Sequence, residues 1–582
     1  MNAPTLPLRG SALTRRRLMQ GTAAAGAVSA VRWPRGRALA APSRTPVLSG
    51  SEFQLEIGPT PINITGQPRI ATAVNGQVPG PILRWREGDT VTLAVSNRLS
   101  VPSSIHWHGI RAPSPMDGVP GLSFNGIAPG ETFIYRFPVH QSGTYWYHSH
   151  SGFQEQTGVD GPIVIVPKGG YAQAFDRDYV VFLFDWSDEN PDTIVSNLKF
   201  QSDYYNYGQR TVGTFVDDAA QKGLAATVAN RLEWGKMRMS PTDILDVSGA
   251  TYTYLINGQP PGANWTALFR PGERVRLRFI NGSVMSIYDV RIPDLQMTVV
   301  QADGNDVEPV TVDEFRISVA ETYDVIVQPR AERAYTIFVQ AEDRSGYARG
   351  TLAPRPGMTA PIPPMDPRPL RTMTDMGTGG MGTGGMDHGS MPGMPADRGA
   401  MGHGSMAGME AGKSAQKLDL SVEVNNVAEM PTERLNSPGE GFPPGRRVLT
   451  YADLRATRPG SDPRPPSHEI TLHLTGNMER FIWGFDGKKF SEAGPIELKR
   501  GDRVRFVLIN DTMMEHPIHL HGLWSELENG HGEYRPYKHT INVKPGEKLS
   551  YLVSADTPGR WAYHCHLLYH METGMFREVR VA

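Results

Sequence analysis

The sequence predicts an all-β molecule of three consecutive β-sandwich domains, and three observations carry that expectation. Short runs alternating β-branched or aromatic with polar residues recur between turn residues, Gly (62) and Pro (48) being abundant in the 582 residues, as half-buried strands require. Helical periodicity is sparse, with Val216 to Trp234 the best candidate for a connector helix. One signature also recurs three times. Asn75-Gly76 precedes a strand running from Gly88-Asp89 to Asn97, Asn257-Gly258 one from Gly272-Glu273 to Asn281, and Asp486-Gly487 one from Gly501-Asp502 to Asn510. A glycine and an acid open each strand and an asparagine closes it nine positions after the glycine, so one sandwich is repeated along the chain.

Taken in order, residues 1–40 read as an export signal. Arg15-Arg16-Arg17 contains a twin arginine, Gly21 to Val31 is small and weakly apolar, and Ala38-Leu39-Ala40 offers a cleavage site. The first sandwich is expected at 47–168, the second at 175–345 and the third at 416–582. Between the last two, 346–415 reads as a Pro/Gly/Met-rich linker. Its stretch 373–410 holds Met373, Met376, Met381, Met386, Met391, Met394, Met401, Met406 and Met409 with His388 and His403. That composition cannot bury enough apolar surface to offset chain entropy and is expected to be disordered.

Lys+Arg 58 against Asp+Glu 60 leaves a net charge of -2, which gives no electrostatic case for nucleic acid or an anionic membrane. No segment after the signal approaches the apolar length of a membrane span. The chain has one cysteine, Cys565, so an intrachain disulfide is excluded. Cys565 is therefore core packing, a reactive thiol or a metal ligand.

Ten of the 17 histidines fall in four short clusters: His106 and His108; His148 and His150; His516, His519 and His521; His564, His566 and His570. Each cluster contains His-x-His, which on a strand presents two imidazoles on one face. A single such pair is more often a solvated face or a hydrogen-bonded core pair; four, at matching points of two repeats, indicate metal ligands. Tyr147-His148-Ser149-His150 of the first domain lies over Tyr563-His564-Cys565-His566 of the third. In that superposition His516 meets Ser103, Cys565 meets Ser149, His570 meets Gln154 and Met575 meets Val159. The four third-domain residues make up two imidazoles, a thiolate and a thioether, the ligand set of a blue electron-transfer copper. Structural zinc suits a lone Cys with Met575 poorly. Strand alternation turns Cys565 toward His516 and His570, and His564 and His566 toward the other pairs. The second domain carries no His-x-His in its repeat and is expected to act as a spacer.

With these motifs the sequence resembles the three-domain multicopper oxidases over nearly the whole mature chain. It is most similar to their copper-resistance protein A (CopA/PcoA) type, through the twin arginine, Tyr204-Tyr205-Asn206-Tyr207, Arg238-Met239-Ser240-Pro241-Thr242-Asp243 and the run Met386 to Met391. The resemblance implies cupredoxin-like Greek-key sandwiches and four copper ions. A type 1 copper would be held by His516, Cys565, His570 and Met575, and a type 2 copper by His106 and His519. One type 3 copper would take His108, His148 and His566, the other His150, His521 and His564. It also implies that Asp117, eleven residues after His106, delivers protons; an ordinary turn acid is the plainer alternative. Some bacterial relatives carry a proton-relaying acid directly after the type 1 histidine, where this chain has Met571 and then Glu572.

The expected activity is a periplasmic oxidase exported folded through the twin-arginine pathway, passing single electrons from Cu(I) to dioxygen in copper resistance. Met386, His388, Met391, Met394, Met401, His403, Met406 and Met409 would capture Cu(I), since thioethers are soft neutral donors. A laccase-like phenol oxidase and a copper-sequestering protein are the alternatives. The expected partners are Cu(I), dioxygen and other periplasmic copper-handling proteins, with the chain a monomer.

Overall fold

The computed structural model describes residues 45–377 and 418–582. The expected export signal and the Met/His residues from Met381 to Met409 lie outside the described residues. Six sheets pair into three sandwiches. In the first, the strand order Val47–Ser49, Ile82–Arg86, Asp160–Val166, Gly143–His148, His106–His108 faces the order Arg69–Val74, Glu52–Ile62, Thr90–Asn97, Thr132–Pro138. The third repeats the plan, its five-stranded sheet running Ile496–Leu498, Phe576–Val581, Gly559–Cys565, His516–Leu520, Thr540–Val543.

The recurring signature has a common structural cause. Asn75-Gly76, Asn257-Gly258 and Asp486-Gly487 all have positive φ at both residues, the requirement of a type I′ hairpin turn. The closing asparagine does one job three times: its amide donates to the carbonyls of Val101 and Ile127 from Asn97, of Ser286 and Ile317 from Asn281, and of Met514 and Val543 from Asn510. Each asparagine thereby ties its strand end to two other segments of its own sandwich. Apolar faces are buried between the sheets, with Trp85, Trp107, Trp146, Trp483 and Trp561 fully enclosed.

Three expectations are corrected. The linker does not begin at 346, because Tyr347–Ala353 pairs with Trp265–Leu268 and Tyr335–Ala341 inside the middle sandwich. Residues 373–376 are not disordered: Thr374–Met376 forms a 3-10 turn with Met376 buried, and the preceding Asp366 and Arg371 are buried in ion pairs with Arg446 and Glu440. The single helix expected at Val216–Trp234 is two.

After α1 (Pro191–Phe200), capped by Asn190 with Pro191 in its first turn, come α2 (Val212–Lys222) and α3 (Leu224–Met237). Gly223, at φ 88°, parts them because a left-handed residue ends one helix and resets the next. The short α4 (Leu568–Glu572) carries His570. No helix among the described residues is long and apolar enough to cross a membrane.

Candidate metal centre

Antiparallel pairing brings the histidine strands together. His106 stands opposite His148 on one sheet, and His519 opposite His564 on another. The first and third sandwiches meet along these strands, and eight imidazoles converge. His106 stacks on His521, and His108 on His519, each pair with ring centroids 3.8 Å apart. His566 Nε2 lies 3.2 Å from His108 Nδ1 and 3.3 Å from His148 Nε2. His521 Nε2 lies 3.1 Å from His564 Nε2, and His150 completes a ligand-sized group with these two.

The outer ring nitrogens are engaged. His106 Nδ1 meets the Asp117 carbonyl at 2.7 Å, His148 Nδ1 the Glu155 carboxylate at 2.8 Å, and His521 Nδ1 the Asp117 carboxylate at 2.8 Å. His519 Nδ1 meets the His539 carbonyl at 2.5 Å, and His564 Nδ1 the Cys565 carbonyl at 2.9 Å. An N–H committed outward leaves a lone pair inward. The inward Nε2 atoms of His106, His150 and His519 are buried with no hydrogen-bond partner among the described residues. Burial, reinforced by neighbouring imidazoles, lowers the pKa of His108, His148, His150, His519, His521 and His566 well below the usual histidine value, and burial brings His564 to about 3. Neutral imidazoles with orphaned lone pairs turned inward fit metal ions.

A second group sits on the other face of the same strand. Cys565 Sγ lies 3.5 Å from His516 Nδ1 and 3.8 Å from His570 Nδ1, and all three are fully buried. Burial pushes the Cys565 thiol far up, so a thiolate here calls for a cation beside it. Met575 is buried, and its carbonyl accepts from Cys565 N at 3.1 Å while its own N–H donates to His570 O at 2.9 Å.

The first sandwich repeats this backbone without the ligands: Ser149 N donates to Val159 O, and Val159 N to Gln154 O. There Ser103 and Ser149 both donate to Gln154 Oε1, at 2.6 and 3.2 Å. The four positions paired by sequence thus converge in both domains, as hydrogen bonds in one and candidate ligands in the other.

Sequence motifs missed the residues around these groups. The outer nitrogen of His516 meets Thr512 Oγ1 at 2.7 Å, and that of His570 meets Asp246 Oδ2 at 2.8 Å. Trp483 stacks on His570 at 3.8 Å. Asp246 belongs to the domain expected to be a spacer, three residues past the Arg238–Asp243 stretch. His539 and Thr540 meet His108 Nε2 at 3.1 and 3.2 Å; no His-x-His marks His539. Asp117, in contrast, was visible in the sequence, and it reaches both His521 and His106, the latter at 3.4 Å.

Signatures of the family described as multicopper oxidase match residues 56–170, 177–356 and 463–582. The chain belongs to the multicopper oxidase family. It is 57% identical to copper resistance protein A of Pseudomonas syringae pv. tomato, over 98% of this chain and 99% of that protein. It is 55% identical to copper resistance protein A of Escherichia coli, over 92% and 93%. Among solved structures it resembles Fet3p, described as a multicopper oxidase that functions in iron import, with a TM-score of 0.63 at 19% identity over 92% of this chain and 90% of that one. Membership of this family makes the protein an oxidoreductase with copper as its cofactor.

Proposed function

We propose that this multicopper oxidase is a periplasmic cuprous oxidase, which takes one electron from each of four Cu(I) ions and reduces dioxygen to water. His516, Cys565, His570 and Met575 hold a type 1 copper in this reading. His106 and His519 hold a type 2 copper; His108, His148 and His566 hold one type 3 copper, and His150, His521 and His564 the other. Bound copper supplies the one-electron chemistry. The chain supplies position: Cys565 and its flanking histidines join the two sites through consecutive residues, and Asp117, bonded to His521, is the carboxylate assigned to proton delivery. The twin arginine and Ala38-Leu39-Ala40 support export.

One observation carries the choice of donor. His570 is fully buried, its outer nitrogen is held by Asp246 at 2.8 Å, and Trp483 covers one ring face. A phenol oxidase needs an open organic pocket against that histidine; a carboxylate at its edge suits a cation that gives up an electron from outside. Copper content with the visible spectrum, then oxygen uptake driven by Cu(I) or by a dimethoxyphenol with and without added copper, tests the reading. Copper-dependent uptake with Cu(I) is expected, lowered at scarce copper by deleting 378–410. Phenol turnover indifferent to copper would overturn it.

A further inference from the structure

The middle sandwich reaches the histidine cluster through one turn. Its strands Met297–Ala302 and Asn305–Val312 are joined by Asp303-Gly304, both at positive φ, 46° and 74°. Such a turn asks only for Asn, Asp or Gly, and on a surface the choice would be indifferent. This turn is buried: Asp303 is 0% exposed. Its Oδ2 accepts from the backbone N–H of His539 and of Thr540, each at 3.2 Å, and lies 3.0 Å from Lys538 Nζ. Its Oδ1 accepts from Thr322 N at 3.0 Å, which anchors the carboxylate to its own sheet. Lys538, also fully buried, is shared with Glu321 at 3.0 Å.

The tripeptide gripped in this way holds a cluster histidine from each outer domain. His539 Nδ1 and Thr540 Oγ1 both face His108 Nε2, which leaves His108 Nδ1 toward His566. The His539 carbonyl takes the Nδ1–H of His519, leaving His519 Nε2 inward and unpartnered. Nothing stands between His539 and the backbone after His108, because a side chain on Gly109 would come within 2.5 Å of the His539 ring.

We infer that Asp303 is a positioning residue of the copper cluster: a carboxylate of the copper-free middle domain clamps Lys538-His539-Thr540 and so sets the ring orientation of His108 and His519. The inference rests on the ligand assignment proposed above. Two variants separate the contacts from the turn. Asp303→Gly removes the side chain while keeping a residue at ease at positive φ; Asp303→Asn keeps an oxygen to accept the two backbone N–H groups. In purified, copper-loaded protein, Asp303→Gly is expected to weaken retention of the type 2 copper by about 10–100-fold, the usual effect of losing a partner that orients a metal ligand. Its electron paramagnetic resonance signal should fade on dialysis while the blue band of Cys565 persists, and Asp303→Asn should restore most of it.

Full retention of cluster copper in Asp303→Gly would overturn the inference. So would loss of the blue band together with the cluster, which is general unfolding. If Asp303→Gly does not accumulate, Thr540→Val, which removes one contact to His108, should lower cluster copper with the blue band intact, and unchanged cluster copper would overturn it. A wild type without the blue band would instead refute the ligand assignment.

Discussion

Cys565 is the residue on which the two metal groups turn, and its role is testable against Ser149 at the same place in the first sandwich. Cys565→Ser recreates that pattern, replacing a thiolate donor by a hydroxyl that packs similarly. It should abolish the blue band, lower the copper content by about one ion per chain and stop Cu(I)-driven oxygen uptake; a retained band would sink the assignment. Asp246→Asn probes the other end of His570. Losing the charge while keeping the hydrogen bond at 2.8 Å should lower the Cu(I) turnover about tenfold or more, with the blue band still present. A full rate in that variant would mean electrons arrive elsewhere. The grouping of His516, Cys565 and His570 was legible because a soft-donor set has few other meanings and the first sandwich carries a copy with Ser103, Ser149 and Gln154 at those positions. Asp246 was not, since a lone acid 324 positions from its partner leaves no local pattern.

At the level of elements, the repeat was legible for a physical reason: a type I′ turn and an asparagine bridging two carbonyls each demand particular residues. The ends of irregular segments were not, because they are set by ion pairs with distant residues, such as Arg371 with Glu440 at 2.7 Å. The loop carrying Asp117 shows how closely element packing serves the site. Gly118 has φ +87°, and a Cβ there would stand 1.9 Å from the Ile105 carbonyl oxygen, just before His106. Gly118→Ala must therefore push the Asp117 loop off the His106 strand. It should cost about 2–4 kcal/mol of stability and loosen the type 2 copper together with it. Calorimetry showing wild-type stability would mean that the loop moves aside freely.

Across the whole molecule, the histidine cluster lies where the first and third sandwiches meet, beside a turn of the second, and the cost of that placement is a set of buried neutral bases. Pairing between domains was invisible in the sequence, since His539 and Asp303 come together across 236 positions, yet its consequence can be measured. Burial lowers the pKa of nine imidazoles: His108, His148, His150, His516, His519, His521 and His566 well below the usual value, His539 to about 4 and His564 to about 3. In the unfolded chain each titrates near the ordinary value of roughly 6.5. The unfolded state therefore binds more protons, so stability is full above about pH 6.5 and is lost as pH falls from there toward the folded values. Carboxylates held low by arginines, such as Glu515 beside Arg316 and Asp289 beside Arg316 and Arg344, act in a lower window, losing their contribution below about pH 4. Even half of the imidazoles behaving in this way would remove about 6 kcal/mol per pH unit, comparable with the whole stability of a typical domain. Copper-free protein should thus lose most of its thermal stability between pH 7 and pH 5, with several protons taken up on unfolding. A Tm flat across that range would show that the metal-free histidines are already solvated, and that the cluster is assembled by copper instead of standing ready for it.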